Sequence, residues 1–254
     1  MLNIILPSIP YQRVIDPMWQ EEMDIARNCG YSVCLFDAEQ EKLYQKPDAQ
    51  YPTLYRGWML SAVEYQQLAS MTPLLVSLLL YQASHQANGW YDSITAQTPL
   101  SNIVPANAAE AAVSALLTRD GRCFVKGLSK SFGAESVIAA RSGLDALLQK
   151  HEVEATDLLF VREFVELSSR PEQRFFVVRD EAFGAGETVF PEALQPALEA
   201  LKSRWFYTVD VAYTLADQPI IIEVGDGQVS DTKEWRAVEL YSKAVSRLAE
   251  LAAS

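Results

Sequence analysis

The chain has few of the residues that build disulfide-rich or histidine-rich folds. Its 254 residues include three cysteines and two histidines. Cys29, Cys34 and Cys123 are scattered and lack the paired spacing of a disulfide framework or a CxxC metal site. We therefore expect free thiols in a reducing compartment, and chemistry that is carried by other residue types.

A long apolar run and an excess of basic residues are also missing. The most apolar stretch, residues 73–81, is about half the ~20 residues that a membrane-spanning helix needs. The N-terminus lacks the basic region of a signal peptide and soon reaches Pro7. A net charge of −12, from 33 acidic and 21 basic residues, argues against nucleic-acid and membrane partners, which are bound through basic surface. With 49% apolar residues to form a core, the sequence predicts a soluble, cytoplasmic protein.

The pattern of predicted elements changes along the chain. Residues 3–6 and 32–37 are predicted strands, and the pair Asp16–Pro17 between them is typical of a helix start, so together they form a βαβ unit. Residues 81–107 show no sustained period, and we expect a loop-rich passage between two domains. Beyond it, strands in hairpins and helices in separate runs indicate an α+β arrangement.

A hairpin predicted over residues 206–224 carries the strongest chemical signal. If its turn is symmetric about Ala216–Asp217, Asp210 lies directly opposite Glu223 among Val, Ile, Tyr and Phe. Like charges opposite each other are unfavourable, and more so when buried, whereas a divalent cation bound to both removes that cost. Asp226, just past the strand, can supply a third oxygen. The alternative is an edge hairpin whose acids face water.

Two lysines flank a loop of small residues. Lys126 ends a predicted strand and Lys130 follows four residues later, an arrangement typical of nucleotide phosphate sites. The Gly-Lys-Ser/Thr order of a Walker A loop is missing, and a solvated lysine is the alternative. Arg174 has the same two interpretations, and the alternation of its strand separates it from the face of Phe175 and Val177.

The first hundred residues contain a different set of candidates. Arg56 and Trp58 lie at a turn before a predicted capping box, a position that suits a carboxylate or a phosphate. The alternative is a structural tryptophan beside a salt-bridged Arg56. Tyr11 and Arg13 follow the first strand, at the edge of a parallel sheet where ligands commonly bind. We expect these four residues to bind the substrate.

Several of these motifs occur in the order and rough spacing of one superfamily. The chain resembles the ATP-grasp superfamily in Phe-Val-Lys126, Val161-Arg-Glu-Phe-Val165, Glu172-x-Arg174, Val209-Asp210 and Ile222-Glu-Val224. It is similar to a compact clade of predicted ATP-grasp carboxylate–amine ligases in Arg56-Gly-Trp-Met-Leu and Glu223-Val-Gly-Asp-Gly-Gln-Val-Ser230.

The resemblance implies a fold class of α+β / α/β, with an ATP-grasp fold over residues 107–254. Its lobes, 107–166 and 167–254, would hold the nucleotide between them. A small α/β pre-ATP-grasp domain, residues 1–106, would precede it and select the substrate.

The resemblance also implies a role for each matched position. Lys126 and Lys130 would contact the nucleotide phosphates, Glu163 and Val165 the adenine, and Glu172 the ribose; Arg174 would act with Lys126 at the transferred phosphoryl group; Asp210, Glu223 and Asp226 would hold Mg²⁺. Gly225 departs from the superfamily, which commonly has asparagine there.

The implied activity is an ATP- and Mg²⁺-dependent ligation of a carboxylate to an amine through an acylphosphate. Both substrates would be small molecules or peptides. Such a reaction needs positioning and electrostatics rather than a side-chain nucleophile. The alternative, which Gly225 favours, is a non-catalytic nucleotide-binding module with a regulatory or interaction role.

Overall fold

The computed structural model describes residues 1–253, which form three four-stranded sheets. The strands are β1 (Asn3–Pro7), β2 (Ser32–Asp37), β3 (Lys42–Leu43), β4 (Thr53–Tyr55), β5 (Ser101–Pro105), β6 (Cys123–Gly127), β7 (Val137–Ile138), β8 (Leu158–Glu163), β9 (Gln173–Val178), β10 (Glu181–Phe183), β11 (Phe206–Tyr213) and β12 (Pro219–Asp226). The helices are α1 (Gln20–Asn28), α2 (Ala62–Met71), α3 (Leu78–His85), α4 (Ala109–Asp120), α5 (Arg141–Lys150), α6 (Gln195–Leu201), α7 (Ala237–Leu240) and α8 (Ser246–Ala252), with a π-helical turn, Tyr241–Val245, joining the last two.

The N-terminal sheet has the order β3-β2-β1-β4. β1 pairs in parallel with β2 and with β4, and α1 connects β1 to β2, so the predicted βαβ unit is confirmed. The Asp16 side chain accepts a hydrogen bond from the Met18 backbone N–H at 3.0 Å, which is the predicted cap. Ser61 and Glu64 form the predicted capping box at the start of α2.

The other two sheets are antiparallel. The central sheet has the order β5-β8-β6-β7, and the C-terminal sheet has the order β10-β9-β11-β12. Helices α4 and α5 cover the central sheet through Val113, Leu116, Leu144 and Leu147. The predicted mixture of helices and hairpin strands is therefore confirmed.

The loop predicted for residues 81–107 is wrong in part, because the segment contains the end of α3 and the whole of β5. The Ser77 side chain caps α3 by accepting from the Leu80 N–H. β5 has a weak strand signal of its own, and its pairing with β8 fixes its conformation. This strand ends directly before the predicted domain boundary at 106/107 and belongs to the sheet beyond it.

The C-terminal sheet is buried on both faces. Because side chains alternate along a strand, Phe176 and Phe206 pack with the N-terminal sheet and the last helices, whereas Phe175 and Tyr207 pack with α6 and Phe160. Any charged side chain in the middle of β9 or β11 must therefore find a partner within the protein. Since one core spans the first and last parts of the chain, the division at 106/107 stays a prediction.

Two of the expectations concern the chain as a whole. Cys29, Cys34 and Cys123 are free thiols. Among residues 1–253, no helix combines the length and the apolar character needed to cross a membrane.

Candidate functional site

Three charged side chains form a row across the C-terminal sheet. Asp210 of β11 pairs with Glu223 of β12 on one side and with Arg174 of β9 on the other. Directly paired residues present their side chains on the same face of a sheet. The prediction that Asp210 and Glu223 face each other is therefore confirmed. We call Arg174, Asp210 and Glu223 the charged row.

The symmetric turn assumed in that prediction is wrong. The Thr214 N–H donates to the Gln218 carbonyl at 2.9 Å, so three residues form the turn, and Asp217 has a φ of 58°. The register of β11 against β12 shifts between Asp210 and Val211. This bulge leaves Ile222 as the extra residue and restores the opposition of the two acids.

Asp210 is a buried carboxylate with two cationic partners. Its oxygens accept from Arg174 Nε and Nη2, both at 2.8 Å, and from Lys233 Nζ at 2.8 Å. Burial alone would raise the pKa of Asp210, but the hydrogen bonds and charges of Arg174 and Lys233 outweigh it, so the pKa lies below its usual value. The pKa of Arg174 is raised, since its interaction with Asp210 outweighs the effect of its own burial.

Lys126 connects the central sheet to the charged row. The side chain is buried, and its Nζ lies 2.5 Å from a carboxylate oxygen of Glu223. Lys130 is exposed, and none of residues 1–253 forms an ion pair with its ammonium. The two lysines thus differ, since one is held by Glu223 and the other is free to meet a ligand.

A cavity of about 790 Å³ lies between the central and C-terminal sheets, and we call it the main cavity. The predicted site residues that line it are Lys126, Lys130, Glu163, Val165, Glu172 and Glu223. Apolar walls come from Phe124, Val137, Ile220 and Ile222. A cavity of this size, with apolar walls and a few polar groups, is typical of a site for a cofactor-sized ligand.

Glu163 and Glu172 hold different positions at the main cavity. One carboxylate oxygen of Glu163 accepts from the Leu100 N–H at 2.7 Å, and the other accepts from Arg119 Nη2 at 2.6 Å. Glu172 is half-exposed and lies 3.5 Å from Lys233 Nζ. Glu163 is therefore fixed at the end of β8, whereas Glu172 has its acceptor capacity largely open.

Arg162 is a cavity residue that sequence reasoning missed. Its guanidinium donates to Ser101 Oγ at 3.1 Å, to Thr98 Oγ1 at 3.0 Å and to the carbonyl of Ile222 at 2.7 Å. Burial lowers its pKa to about 10, so it remains charged at neutral pH. It ties the central sheet to the bulge that precedes Glu223, and its signal in the sequence is a single arginine within the apolar strand β8.

The loop after β12 was missed as well. Asp231 Oδ1 lies 2.5 Å from Arg174 Nη1, and Glu234 accepts from the Arg174 backbone N–H at 2.7 Å. Lys233 in the same loop reaches Asp210. The alternating charges of residues 231–236 were visible in the sequence, but their target was not.

The structure does not bring Asp226 to the charged row. Asp226 lies three residues after Glu223, and the alternation of a strand points it to the opposite face. It is fully buried, its Oδ1 accepts from the backbone and the side chain of Gln228, and burial raises its pKa to about 7. Within residues 1–253, no group of three or more Asp, Glu, His or Cys side chains could hold a metal ion. The prediction of a third ligand at Asp226 therefore finds no support, and Asp210 and Glu223 stand as a pair.

Gly225 lies in a confined position on the face of Glu223. A Cβ there would lie 2.6 Å from Thr208 Oγ1 and 2.9 Å from Ser230 Oγ, and these two hydroxyls are 2.9 Å apart. Two hydroxyl oxygens therefore occupy the space into which a side chain at position 225 would extend.

The expected substrate residue Arg56 is a structural residue instead. It is 1% exposed, its Nε and Nη2 donate to the carboxylate of Glu22 at 3.0 and 2.9 Å, and its Nη1 donates to the carbonyl of Ser230 at 2.6 Å. A guanidinium enclosed in this way cannot reach a ligand, so the salt-bridged alternative is correct. Trp58 is half-exposed, donates to Asp16 Oδ2 at 2.9 Å and meets Trp19 edge to face.

Tyr11 and Arg13 lie in the exposed loop after β1. Both have positive φ, 65° and 53°, and Arg13 lies 5.4 Å from the centroid of the Tyr44 ring. The Tyr11 backbone N–H donates to Asp37 Oδ2 at 2.7 Å. Neither residue lines the main cavity, so their role in substrate binding stays a prediction.

Several solved structures share this fold. D-cycloserine synthetase DcsG superposes with a TM-score of 0.66 at 14% identity, covering 97% of this chain and 99% of that chain. A RimK-domain ATP-grasp protein from Sphaerobacter thermophilus DSM 20745 gives 0.62 at 15% identity, covering 99% and 96%. D-alanyl-alanine synthetase A from Vibrio cholerae O1 biovar eltor str. N16961 gives 0.59 at 9% identity, covering 99% and 98%. At these identities the likeness concerns the fold, and the predicted ATP-grasp fold is confirmed.

Comparison with the curated proteins finds no match. A family of ATP-grasp domains, the third family of its clade, matches residues 80–250, about two thirds of the sequence. That range contains the main cavity, the charged row and the loop behind it. The chain therefore belongs to the ATP-grasp proteins, in this third family of the clade.

Proposed function

We propose that the protein is an ATP- and Mg²⁺-dependent ligase that joins a carboxylate to an amine through an acylphosphate. Family membership supports ATP-dependent ligation in general. The observation that carries the proposal is the charged row at the edge of the main cavity, where Lys126 from the opposite sheet meets Glu223 at 2.5 Å. A cleft between two sheets with carboxylates and cations at one end suits a nucleoside triphosphate and its metal ion.

The lining of the main cavity supports the nucleotide contacts. Lys126 and Lys130 would hold the phosphates, Glu163 and Val165 would present hydrogen-bonding groups to the adenine, and Glu172 would accept the ribose hydroxyls. Glu163 is already fixed at the strand end by Leu100 and Arg119. The open acceptors of Glu172 suit hydroxyl donors.

Asp210 and Glu223 are the residues that would hold Mg²⁺. Mg²⁺ is usually bound through one or two carboxylates together with phosphate oxygens and water, so two facing carboxylates fit it without a third protein ligand. Lys126 uses one oxygen of Glu223, and the second oxygen has none of residues 1–253 as a hydrogen-bond partner. When bound, the ion would neutralise phosphate charge.

The reaction requires a balanced transfer at two centres. An oxygen of the substrate carboxylate bonds to the γ-phosphorus as the bond to ADP breaks, giving an acylphosphate. The amine nitrogen then bonds to the carbonyl carbon as phosphate leaves, and the amine loses a proton. Arg174 and Lys126 would stabilise the charge that develops on the phosphoryl oxygens, because both are held in place by buried carboxylate contacts.

The first test is nucleotide binding with and without Mg²⁺. We expect the wild type to bind ATP more tightly with Mg²⁺, and Glu223→Gln to lose much of that dependence. Glu250→Gln, which changes an exposed surface carboxylate, is the matched control and should behave as the wild type. Equal affinity with and without Mg²⁺ in the wild type would contradict the metal site.

A non-catalytic nucleotide-binding module is the second candidate, and the crowded position of Gly225 favours it. The hydroxyls of Thr208 and Ser230 occupy the space where an asparagine side chain would extend. A ligase should release ADP only when both a carboxylate and an amine are present. A protein that binds ATP with Mg²⁺ but never releases ADP would be the module.

A further inference from the structure

A second cavity, of about 340 Å³, adjoins the main cavity, and we call it the small cavity. It lies where the start of α2, the end of α3 and the loop after β6 meet. The lining residues that could contact a ligand through polar groups are Ser61, Ala62, Gln82, His85, Gln86 and Lys130. Lys130 lines both cavities, so a ligand in the small cavity would lie next to the phosphate end of the main cavity.

The walls of the small cavity are tied together. The Tyr81 hydroxyl donates to the Leu60 carbonyl and accepts from the Leu60 N–H, both at 2.9 Å, which anchors the start of α2 on α3. The Ala87 N–H donates to the Leu128 carbonyl at 2.9 Å, which anchors the end of α3 on the Lys130 loop. The cavity is therefore a preorganised feature of the fold.

The chemistry of the small cavity suits an anion. No acidic side chain lines it, and Lys130 supplies a positive charge. In the part of the chain that the structure describes, the side-chain amides of Gln82 and Gln86 have no hydrogen-bond partner, so their donors and acceptors are open to a ligand. Burial lowers the pKa of His85, which keeps its ring neutral at pH 7 with one donor and one acceptor.

We propose that the small cavity binds the carboxylic-acid substrate, an acid of amino-acid size whose carboxylate faces Lys130 and whose remaining polar groups meet Gln82 and Gln86. This inference rests on the proposed ligase function, because it places the acid beside the phosphoryl group that it would accept. The volume is at the low end for ligand sites, which favours a single small acid over a long peptide. Most of the lining residues precede residue 107, in keeping with the prediction that this part of the chain selects the substrate.

The experiment uses hydroxylamine in place of the unidentified amine. The full chain is incubated with ATP, Mg²⁺, hydroxylamine and one acid at a time: acetate or one of the common amino acids. An acylphosphate is converted to a hydroxamate, which is measured together with ADP. For an acid that reacts, we expect Gln82→Leu and Gln86→Leu each to raise the KM for the acid about tenfold, the effect of one lost hydrogen bond to a charged group, with the KM for ATP unchanged. Gln66→Leu, an exposed glutamine of α2 outside the cavity, is the matched control.

The two proposals fail in different ways. Hydroxamate formation with an unchanged KM for the acid in both cavity variants overturns the small-cavity assignment and leaves the ligase function intact. If no acid reacts, the ligase proposal fails, and saturation-transfer NMR with the same acids and a non-hydrolysable ATP analogue still tests the cavity. An acid signal that is lost in Gln82→Leu and kept in Gln66→Leu supports the assignment. A signal that is equal in the two variants, or absent for every acid, overturns it.

Discussion

Replacement of Arg56 by alanine distinguishes a residue that holds the fold from one that binds a substrate. Arg56 follows β4, pairs with Glu22 of α1 and donates to the Ser230 carbonyl in the loop after β12. It therefore joins the N-terminal sheet to the loop that carries Lys233 to Asp210. We expect Arg56→Ala to lower the free energy of unfolding and to leave substrate preference unchanged.

The expected magnitude follows from what is left behind. Without Arg56, the buried carboxylate of Glu22 retains the Tyr241 hydroxyl at 3.2 Å as a donor, and the carbonyl of Ser230 loses its guanidinium. Removing one partner of a buried ion pair costs about 3–5 kcal/mol. Since a domain is stable by about 5–15 kcal/mol in total, this loss is a large share of the stability. Arg56→Met combined with Glu22→Met should cost less than Arg56→Ala, because no buried charge remains.

Urea unfolding followed by tryptophan fluorescence measures this loss. Arg247→Ala is the control, because Arg247 makes an exposed ion pair with Glu181, and exposed pairs contribute little. A variant Arg56→Ala that unfolds at the same urea concentration as the wild type, but has a raised KM for the acid, would refute this reasoning. Arg56 would then be a substrate residue despite its burial.

Three further predictions concern the site and its support. Lys126→Ala should weaken ATP affinity, and Arg174→Ala should mainly lower kcat, each by about 1.5–3 kcal/mol, as nucleotide titration and steady-state kinetics would record; equal effects of both changes on both quantities would contradict the division of roles. Asp226 has a pKa raised to about 7 in the fold, above its unfolded value, so stability should fall by up to ~4 kcal/mol between pH 4 and 8 in the wild type and much less in Asp226→Asn; parallel unfolding curves against pH would exclude this. Gly225→Asn should destabilise the fold by about 1–3 kcal/mol in urea, because its Cβ would meet Thr208 Oγ1 at 2.6 Å, and Thr208→Ala should restore part of the loss; an unaltered midpoint for Gly225→Asn would show that the strand adjusts.

The features that the sequence predicted best depend on local pattern and on pairing between neighbouring strands. The Asp16 cap and the capping box of Ser61 use residues within one turn of each other, so the sequence contains all of their information. The opposition of Asp210 and Glu223 was predicted from a turn that is wrong by one residue. It is correct because a bulge at Ile222 compensates, and no sequence pattern indicated that bulge.

The features that could not be predicted depend on partners far along the chain. Arg56 has an ambiguous motif, and its role is decided by Glu22 and by a loop more than 170 residues away. Arg162 looks like one charge in an apolar strand until Thr98 and the freed carbonyl of Ile222 are brought to it. For such residues the burial of a charge forces a partner to exist, but the identity of the partner comes from the tertiary fold.

The distribution of charge explains how an acidic protein can take an acidic ligand. The chain has a net charge of −12, yet Lys126, Lys130 and Arg162 all line the main cavity, and Lys233 lies next to it on Asp210. A cleft with positive charge and low-dielectric walls attracts anions locally, whereas the acidic remainder of the surface repels them. In the absence of a ligand, Glu223 and Asp210 hold Lys126 and Lys233 in place, so these cations need little reordering when a polyphosphate arrives. The acids that would bind the metal ion thus also preorganise the cations that would meet the phosphates, and a change to either acid should affect both kinds of contact.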